Sequence, residues 1–200
     1  MERQVAKKLI TVVGGTSKIG LTANRDEIVC KKLGILLADA KNADYHIQTG
    51  GTGGYPAFVS QAFGARLKEL DKPFEERIYH YVPYKSTSMT KGLLGKTVGC
   101  ADTMKQRREV LMKLPAEVVL AISGGPGTSN EINWANSLKK NLICFVGSGG
   151  AAAGLFPDED NISPKIPDNC LKNELLSSKD IDADPEKIAE ELFKFISKYQ

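Results

Sequence analysis

Five short runs rich in apolar and aromatic residues recur along the chain. They lie at residues 9–13, 45–48, 77–83, 118–122 and 142–146. The run at 118–122, with the sequence VVLAI, contains no polar residue, which is typical of a central strand covered on both faces of a sheet. The pattern therefore predicts five strands.

Stretches with apolar residues at helical spacing alternate with these runs. They predict helices over residues 24–40, 56–70 and 102–114, directly after the glycines at 124–127, and over 185–199. Either Asp102 or Thr103 caps the helix at 102–114, and Asp184 followed by Pro185 starts the last helix.

Two polar stretches interrupt this alternation. Residues 84–99 are rich in Ser, Thr, Lys and Gly and lack a periodic pattern, so they predict a loop over the mouth of a site. Residues 158–178 are polar and contain two prolines, which predicts an irregular surface segment.

Strands that alternate with helices fold into a parallel sheet with helices on both faces. The sequence thus predicts an α/β fold with one doubly wound, mostly parallel, Rossmann-like sheet. A length of 200 residues with 42% hydrophobic content suits a single domain over residues 1–200, with a C-terminal helix at 185–199.

Glycine-rich loops follow four of the five predicted strands. The carboxyl ends of parallel strands meet at one edge of the sheet, where ligands bind. Glycine lets backbone N–H groups approach an anion closely, and a helix that follows points its positive end at the same place. The loops therefore predict a phosphate or nucleotide site. Its candidate residues are Gly14, Gly15, Thr16, Gly50, Gly51, Thr52, Gly53, Gly54, Gly124, Gly125, Gly127 and Thr128.

Thr128 and Glu131 admit two interpretations. Their spacing fits a capping box, in which Thr128 caps the helix and Glu131 reaches back to its first turn. Alternatively, Glu131 is a carboxylate available for chemistry beside the glycine loop. Spacing alone leaves both open.

Arg107 lies on the apolar stripe that Met104, Leu111 and Leu114 form along the helix at 102–114. An arginine that faces a core is rarely left unpaired. It either extends its head to solvent or meets an anion or carboxylate inside the fold. Arg108 is then expected to face solvent, and a shift of the helix phase by one residue would exchange the two arginines.

Charge and cysteine usage narrow the classes of partner. Basic and acidic side chains number 27 and 24 and are well mixed, so there is no basic stripe and we expect no nucleic-acid partner. No apolar run reaches 18 residues and the N-terminus is charged, so we expect no membrane partner and a cytoplasmic location. Scattered cysteines and two histidines predict a reducing compartment and no metal site. These residues are Cys30, Cys100, Cys144, Cys170, His46 and His80.

The first glycine loop, residues 14–20, is similar to the cofactor loop of short-chain dehydrogenases, but two details exclude that family. Lys18 replaces the family's middle glycine. The only Tyr-x-x-x-Lys pattern, from Tyr81 to Lys85, contains Pro83 and lies in a predicted strand instead of a helix.

Three motifs over residues 9–150 together resemble the LONELY GUY family, whose members are phosphoribohydrolases acting on cytokinin riboside 5'-monophosphates. They are GGTGG at 50–54, MKQRR at 104–108 and GGPGTSNE at 124–131. The resemblance implies that Arg107 and Glu131 are catalytic and that Gly124, Gly125, Gly127 and Thr128 bind phosphate. It also implies an AMP-like substrate, no cofactor and no metal, and a homodimer.

The chain departs from the family pattern at Ser123, which replaces a proline, and at Lys105 and Arg108 in the upstream motif. The stretch at residues 147–154 is similar to that of superfamily relatives such as molybdenum-cofactor carriers. Nucleotide binding is therefore better supported than hydrolysis. The alternative function is a carrier or sensor without catalysis.

Overall fold

One sheet of six parallel strands organises the chain. The computed structural model describes residues 6–16, 21–156, 177 and 182–199. Its strands are β1 (Lys7–Gly14), β2 (Asp44–Thr49), β3 (Ile78–Pro83), β4 (Lys96–Ala101), β5 (Val118–Ile122) and β6 (Leu142–Phe145). They pair in the order β4-β3-β2-β1-β5-β6, and every pairing is parallel. The predicted α/β fold class is confirmed.

Helices cover both faces of this sheet. They are α1 (Ala23–Asp39), α2 (Tyr55–Glu69), α3 (Met104–Lys113), α4 (Pro126–Ser137) and α5 (Pro185–Lys198). No described helix is long and apolar enough to cross a bilayer. The predicted Ser17, Lys18, Ile19 and Gly20 of the first loop, Cys170, and most of the segment at 158–178 lie outside the described residues.

The core is divided between the two faces. On one face, α1, α2 and α5 pack against strand residues such as Ile10, Ile47 and Leu120. On the other face, α3 and α4 pack against Val119 and Cys144 among others. Strand side chains alternate between the two faces because their period is two. Both faces of a central strand are therefore buried, which favours apolar residues at successive positions of the short runs.

The predicted loop at 84–99 is wrong over its last four residues, 96–99. Residues Tyr84–Thr90 form a short 3-10 segment, but Lys96–Ala101 form β4, which pairs with β3 at the edge of the sheet. An edge strand is covered less than a central one, and the first two residues of β4 are exposed. Its sequence therefore has no continuous apolar run to mark it as a strand.

The order of the strands in the sheet reverses between β1 and β5, which is therefore the topological switch point. From β1 the chain builds β2, β3 and β4 on one side, then crosses to build β5 and β6 on the other. Ligands of doubly wound sheets bind in the crevice outside the carboxyl ends of the strands at such a point. The loops that follow β1 and β5 flank this crevice.

Candidate functional site

A cavity of about 170 Å³ lies at the carboxyl ends of β1, β2 and β5, and we call it the central cavity. Most of the site residues predicted from the sequence line it. They are Gly14, Gly15, Thr16, Gly50, Thr52, Arg107, Gly125, Gly127, Thr128 and Glu131. The other predicted residues, Gly51, Gly53, Gly54 and Gly124, do not line it.

Arg107 and Glu131 form a buried ion pair in this cavity. Arg107 Nη1 lies 3.0 Å from Glu131 Oε1, and the two side chains are only 5% and 6% exposed. Arg107 comes from α3 and Glu131 from α4, so the packing of these two helices brings them together. Of the alternatives for Arg107, the structure shows the one in which it meets a carboxylate.

The surroundings of Arg107 differ from those of an ordinary surface arginine. Burial lowers the pKa of Arg107 below its ordinary value, while the charge of Glu131 acts in the opposite direction. Its Nε atom is buried and has no hydrogen-bond partner within the described part of the chain. A buried donor without a partner is rare, and a bound anion would satisfy it.

Gly50 makes room for this arginine. A Cβ atom at residue 50 would lie 2.3 Å from Arg107 Nη1. Any larger residue there would displace the guanidinium group from Glu131. The glycine is thus required by the ion pair, in addition to any role beside a ligand.

Two helices point uncapped N-termini at the central cavity. The N-cap residues of α2 and α4 are Gly54 and Gly125, which have no side chain to accept a hydrogen bond from the first turn. By contrast, Thr103 and Gln106 form a capping box on α3, and Asp184 caps α5. The positive ends of these two helices favour an anion at this position, although the Tyr55 N–H at the start of α2 already donates to the Gly15 carbonyl.

The capping box proposed for Thr128 and Glu131 does not form. The helix α4 begins at Pro126, two residues before Thr128, so Thr128 lies inside its first turn. The Thr128 side chain instead packs against Gly124, where an added Cβ would lie 2.3 Å from its hydroxyl oxygen. Glu131 is therefore not committed to capping the helix.

Arg108 and Met104 also line the central cavity, and the sequence reasoning missed both. The guanidinium carbon of Arg108 would lie 2.5 Å from a Cβ at residue 127, so this arginine crosses Gly127 at the start of α4. The sequence feature that could have identified them is the pair of adjacent arginines, Arg107 and Arg108, in the turn after Met104. Arg108 therefore adds a second positive charge to the cavity, beside that of Arg107.

Hydrogen bonds hold the three loops of the cavity in fixed register. The Gly15 N–H donates to the Ile122 carbonyl at 3.0 Å, and the Tyr55 N–H donates to the Gly15 carbonyl at 3.1 Å. A Cβ at Gly54 would lie 2.1 Å from that same Gly15 oxygen. The absence of a side chain at Gly54 therefore allows these two loops to pack closely together.

Gly51 belongs to a buried chain of hydrogen bonds behind the cavity. Its N–H donates to the Thr49 hydroxyl oxygen at 3.1 Å, and the Thr49 hydroxyl lies 2.7 Å from His80 Nδ1. His80 Nε2 lies 2.8 Å from the Leu94 carbonyl, which can only accept, so Nε2 carries the proton and Nδ1 accepts from Thr49. A neutral His80 therefore supports the loop that contains Gly50.

The burial of His80 leads us to expect that the free energy of unfolding falls in mild acid. Burial lowers the pKa of His80 below its ordinary value of 6.5. The unfolded chain then takes up the proton first, so the stabilisation is complete above about pH 6.5 and is lost as the pH falls toward the folded pKa. Urea unfolding at pH 7.5 and pH 5.5 should show this loss, and His80→Gln should reduce it. An identical pH dependence in both proteins would contradict the role of His80.

A second, larger cavity of about 490 Å³ adjoins the first, and we call it the outer cavity. The two share Gly15, Thr16 and Gly125 as a common wall. Gly124, which the sequence assigned to phosphate binding, lines the outer cavity. Beyond it, the Ala151 N–H donates to the Gly124 carbonyl at 2.8 Å.

Comparisons with known proteins gave structural neighbours only. No family model and no curated protein matches the chain. The crystal structure of TM1055, a structural genomics target, is similar with 27% identity and a TM-score of 0.59, over 84% of this chain and 88% of the other.

Two proteins linked to molybdenum cofactor are more distant neighbours. The molybdenum cofactor binding protein from the phototrophic bacterium Rippkaea orientalis has 21% identity and a TM-score of 0.50, over 70% of this chain and 77% of that one. The Moco carrier protein from Chlamydomonas reinhardtii has 16% identity and a TM-score of 0.51, over 96% and 99%. These neighbours share a Rossmann-like α/β fold. This chain has that fold.

Proposed function

We propose that this protein binds a nucleoside 5'-monophosphate and hydrolyses its N-glycosidic bond, releasing the free base and ribose 5-phosphate. The observation that carries the proposal is the buried Arg107–Glu131 pair, which lies in a cavity walled by three glycine loops. A fold shared with LONELY GUY relatives supports the same reaction class.

The phosphate end of the substrate has its counterpart in the charges of the central cavity. The uncapped starts of α2 and α4 and the guanidinium group of Arg108 all contribute positive potential. Glu131 is the acidic side chain among the lining residues. Phosphate therefore binds near the helix starts, which leaves Glu131 to face the sugar.

The reaction needs one carboxylate and one water molecule. As the bond between the base nitrogen and ribose C1' breaks, positive charge develops on the sugar, and the negative charge of Glu131 stabilises it. Water adds to C1', one of its protons leaves, and the departing base is protonated. Arg107 orients Glu131 through the 3.0 Å contact.

A carrier or sensor is the second candidate, and one observation favours it. The outer cavity is nearly three times as large as the central one and contains no part of the ion pair. Its lining includes Ser123 and residues 147–150, the region where the sequence departs from the hydrolase pattern. Such a protein would hold a nucleotide or cofactor without cleaving it.

A panel of nucleoside 5'-monophosphates separates these functions. We expect wild-type protein to release free base and ribose 5-phosphate from at least one of them, measured by chromatography. The matched nucleosides without phosphate should react far more slowly, because they lack the group that the helix starts bind. Tight binding of a monophosphate without any release of base would decide for the carrier.

A further inference from the structure

The outer cavity has a chemical character of its own. None of its described lining residues is charged. Its rim carries Leu21, Leu155 and Phe156, which are 88%, 59% and 42% exposed. Exposed apolar side chains gathered around one cavity indicate a site for an uncharged, flat or apolar group.

Hydrogen bonds hold this rim in place on the body of the protein. The buried Ser129 hydroxyl donates to the Phe156 carbonyl at 3.1 Å, which fixes the chain at Phe156 to α4. The Leu155 N–H donates to the Gly150 carbonyl at 3.1 Å. The rim is therefore tied to the same helix whose start faces the central cavity.

The wall shared by the two cavities is where an anion would bind. Gly125 is the N-cap of α4 and lines both cavities, and a Cβ added there would meet nothing within 4 Å. Gly15 and Thr16 form the facing part of this wall. A phosphate at the start of α4 is thus open to the polar central cavity on one side and to the apolar rim on the other.

We propose that the ligand carries organic groups on both sides of its phosphate, as a dinucleotide does. One nucleoside would lie toward Glu131 in the central cavity, the phosphates at the shared wall, and the second base in the outer cavity beside Phe156. The proposal rests on the proposed function and extends its substrate class at the same site. Water would cleave the N-glycosidic bond beside Glu131, which releases one free base and leaves its ribose joined through the phosphates to the second nucleoside. It explains why a cavity without charged side chains adjoins a phosphate site.

Binding of three adenine nucleotides tests this proposal. AMP, ADP and P1,P2-di(adenosine-5') diphosphate should be titrated into the protein by calorimetry. We expect the dinucleotide to bind at least about 10-fold more tightly than ADP, since stacking and burial of a base contribute to affinity. ADP controls for the second phosphate. Phe156→Ala should remove most of that gain, whereas Leu138→Ala, which truncates an exposed apolar side chain elsewhere, should not.

Several results would overturn the proposal. If AMP binds and the dinucleotide binds no better than ADP, the dinucleotide class is wrong while the proposed function stands. If Phe156→Ala lowers the melting temperature and leaves every affinity unchanged, Phe156 packs against the chain itself instead of a ligand. Absence of binding by all three nucleotides would remove both proposals together.

Discussion

Glu131→Gln is expected to lower the rate of base release by about 10²-fold or more while the fold survives. Glutamine keeps the size of the side chain and an oxygen that can accept from Arg107, so the contact across α3 and α4 persists. It removes the negative charge that stabilises the developing positive charge on the sugar. Steady-state kinetics should show the loss in kcat, with KM changed little.

The control for this variant is Glu109→Gln, which removes an acidic charge from the middle of α3, where the Glu109 side chain is 46% exposed. Glu109 pairs with Lys113 at the surface, and we expect its loss to leave activity unchanged. If Glu131→Gln is as active as wild type, Glu131 has a structural role only. The hydrolase mechanism would then be wrong.

Arg107→Ala is expected to destabilise the protein by about 3–5 kcal/mol, because it removes the arginine that pairs with the buried Glu131 carboxylate. The same variant should bind AMP more weakly, since an arginine that lines the cavity is lost. Urea unfolding measures the first effect. Calorimetric titration under conditions where the variant is folded measures the second.

A double variant separates the buried charge from the lost packing. Arg107→Ala with Glu131→Gln removes the negative charge of Glu131 together with the arginine, so it should be more stable than Arg107→Ala alone. If the two variants are equally unstable, the ion pair contributes through packing of the arginine side chain. The electrostatic account of the pair would then be contradicted.

The sequence predicted the sheet well because most of its strands are central. An all-apolar run such as Val118–Ile122 can be satisfied only between two helical layers. The edge strand Lys96–Ala101 was missed because its first two residues are exposed and only its last is fully buried, so its residues carry no such pattern. The other edge strand, Leu142–Phe145, is buried throughout and was predicted. Patterns report burial, and Lys96–Ala101 is only partly buried.

The site was predicted less completely, for two physical reasons. Arg107 and Glu131 are 24 residues apart, and their contact depends on how α3 packs against α4, which spacing does not reveal. In addition, a glycine required by a ligand looks the same in sequence as one required by packing. Gly54 approaches the Gly15 carbonyl and Gly51 packs against Val82, so neither lines the central cavity.

AMP binding to wild type and two glycine variants tests the central claim most directly. Gly125→Ala adds a methyl group where nothing lies within 4 Å, at the wall of the central cavity, so it should fold normally yet obstruct the phosphate. Gly53→Ala is the matched control, because its Cβ would lie 4.0 Å from the Thr16 oxygen and outside the cavity.

In that titration we expect saturable binding of AMP to wild type and Gly53→Ala, with inorganic phosphate as a competitor. Gly125→Ala should bind at least about 10-fold more weakly at an unchanged melting temperature. Absence of binding to wild type at millimolar AMP, or equal affinity in all three proteins, would contradict a phosphate site at the start of α4.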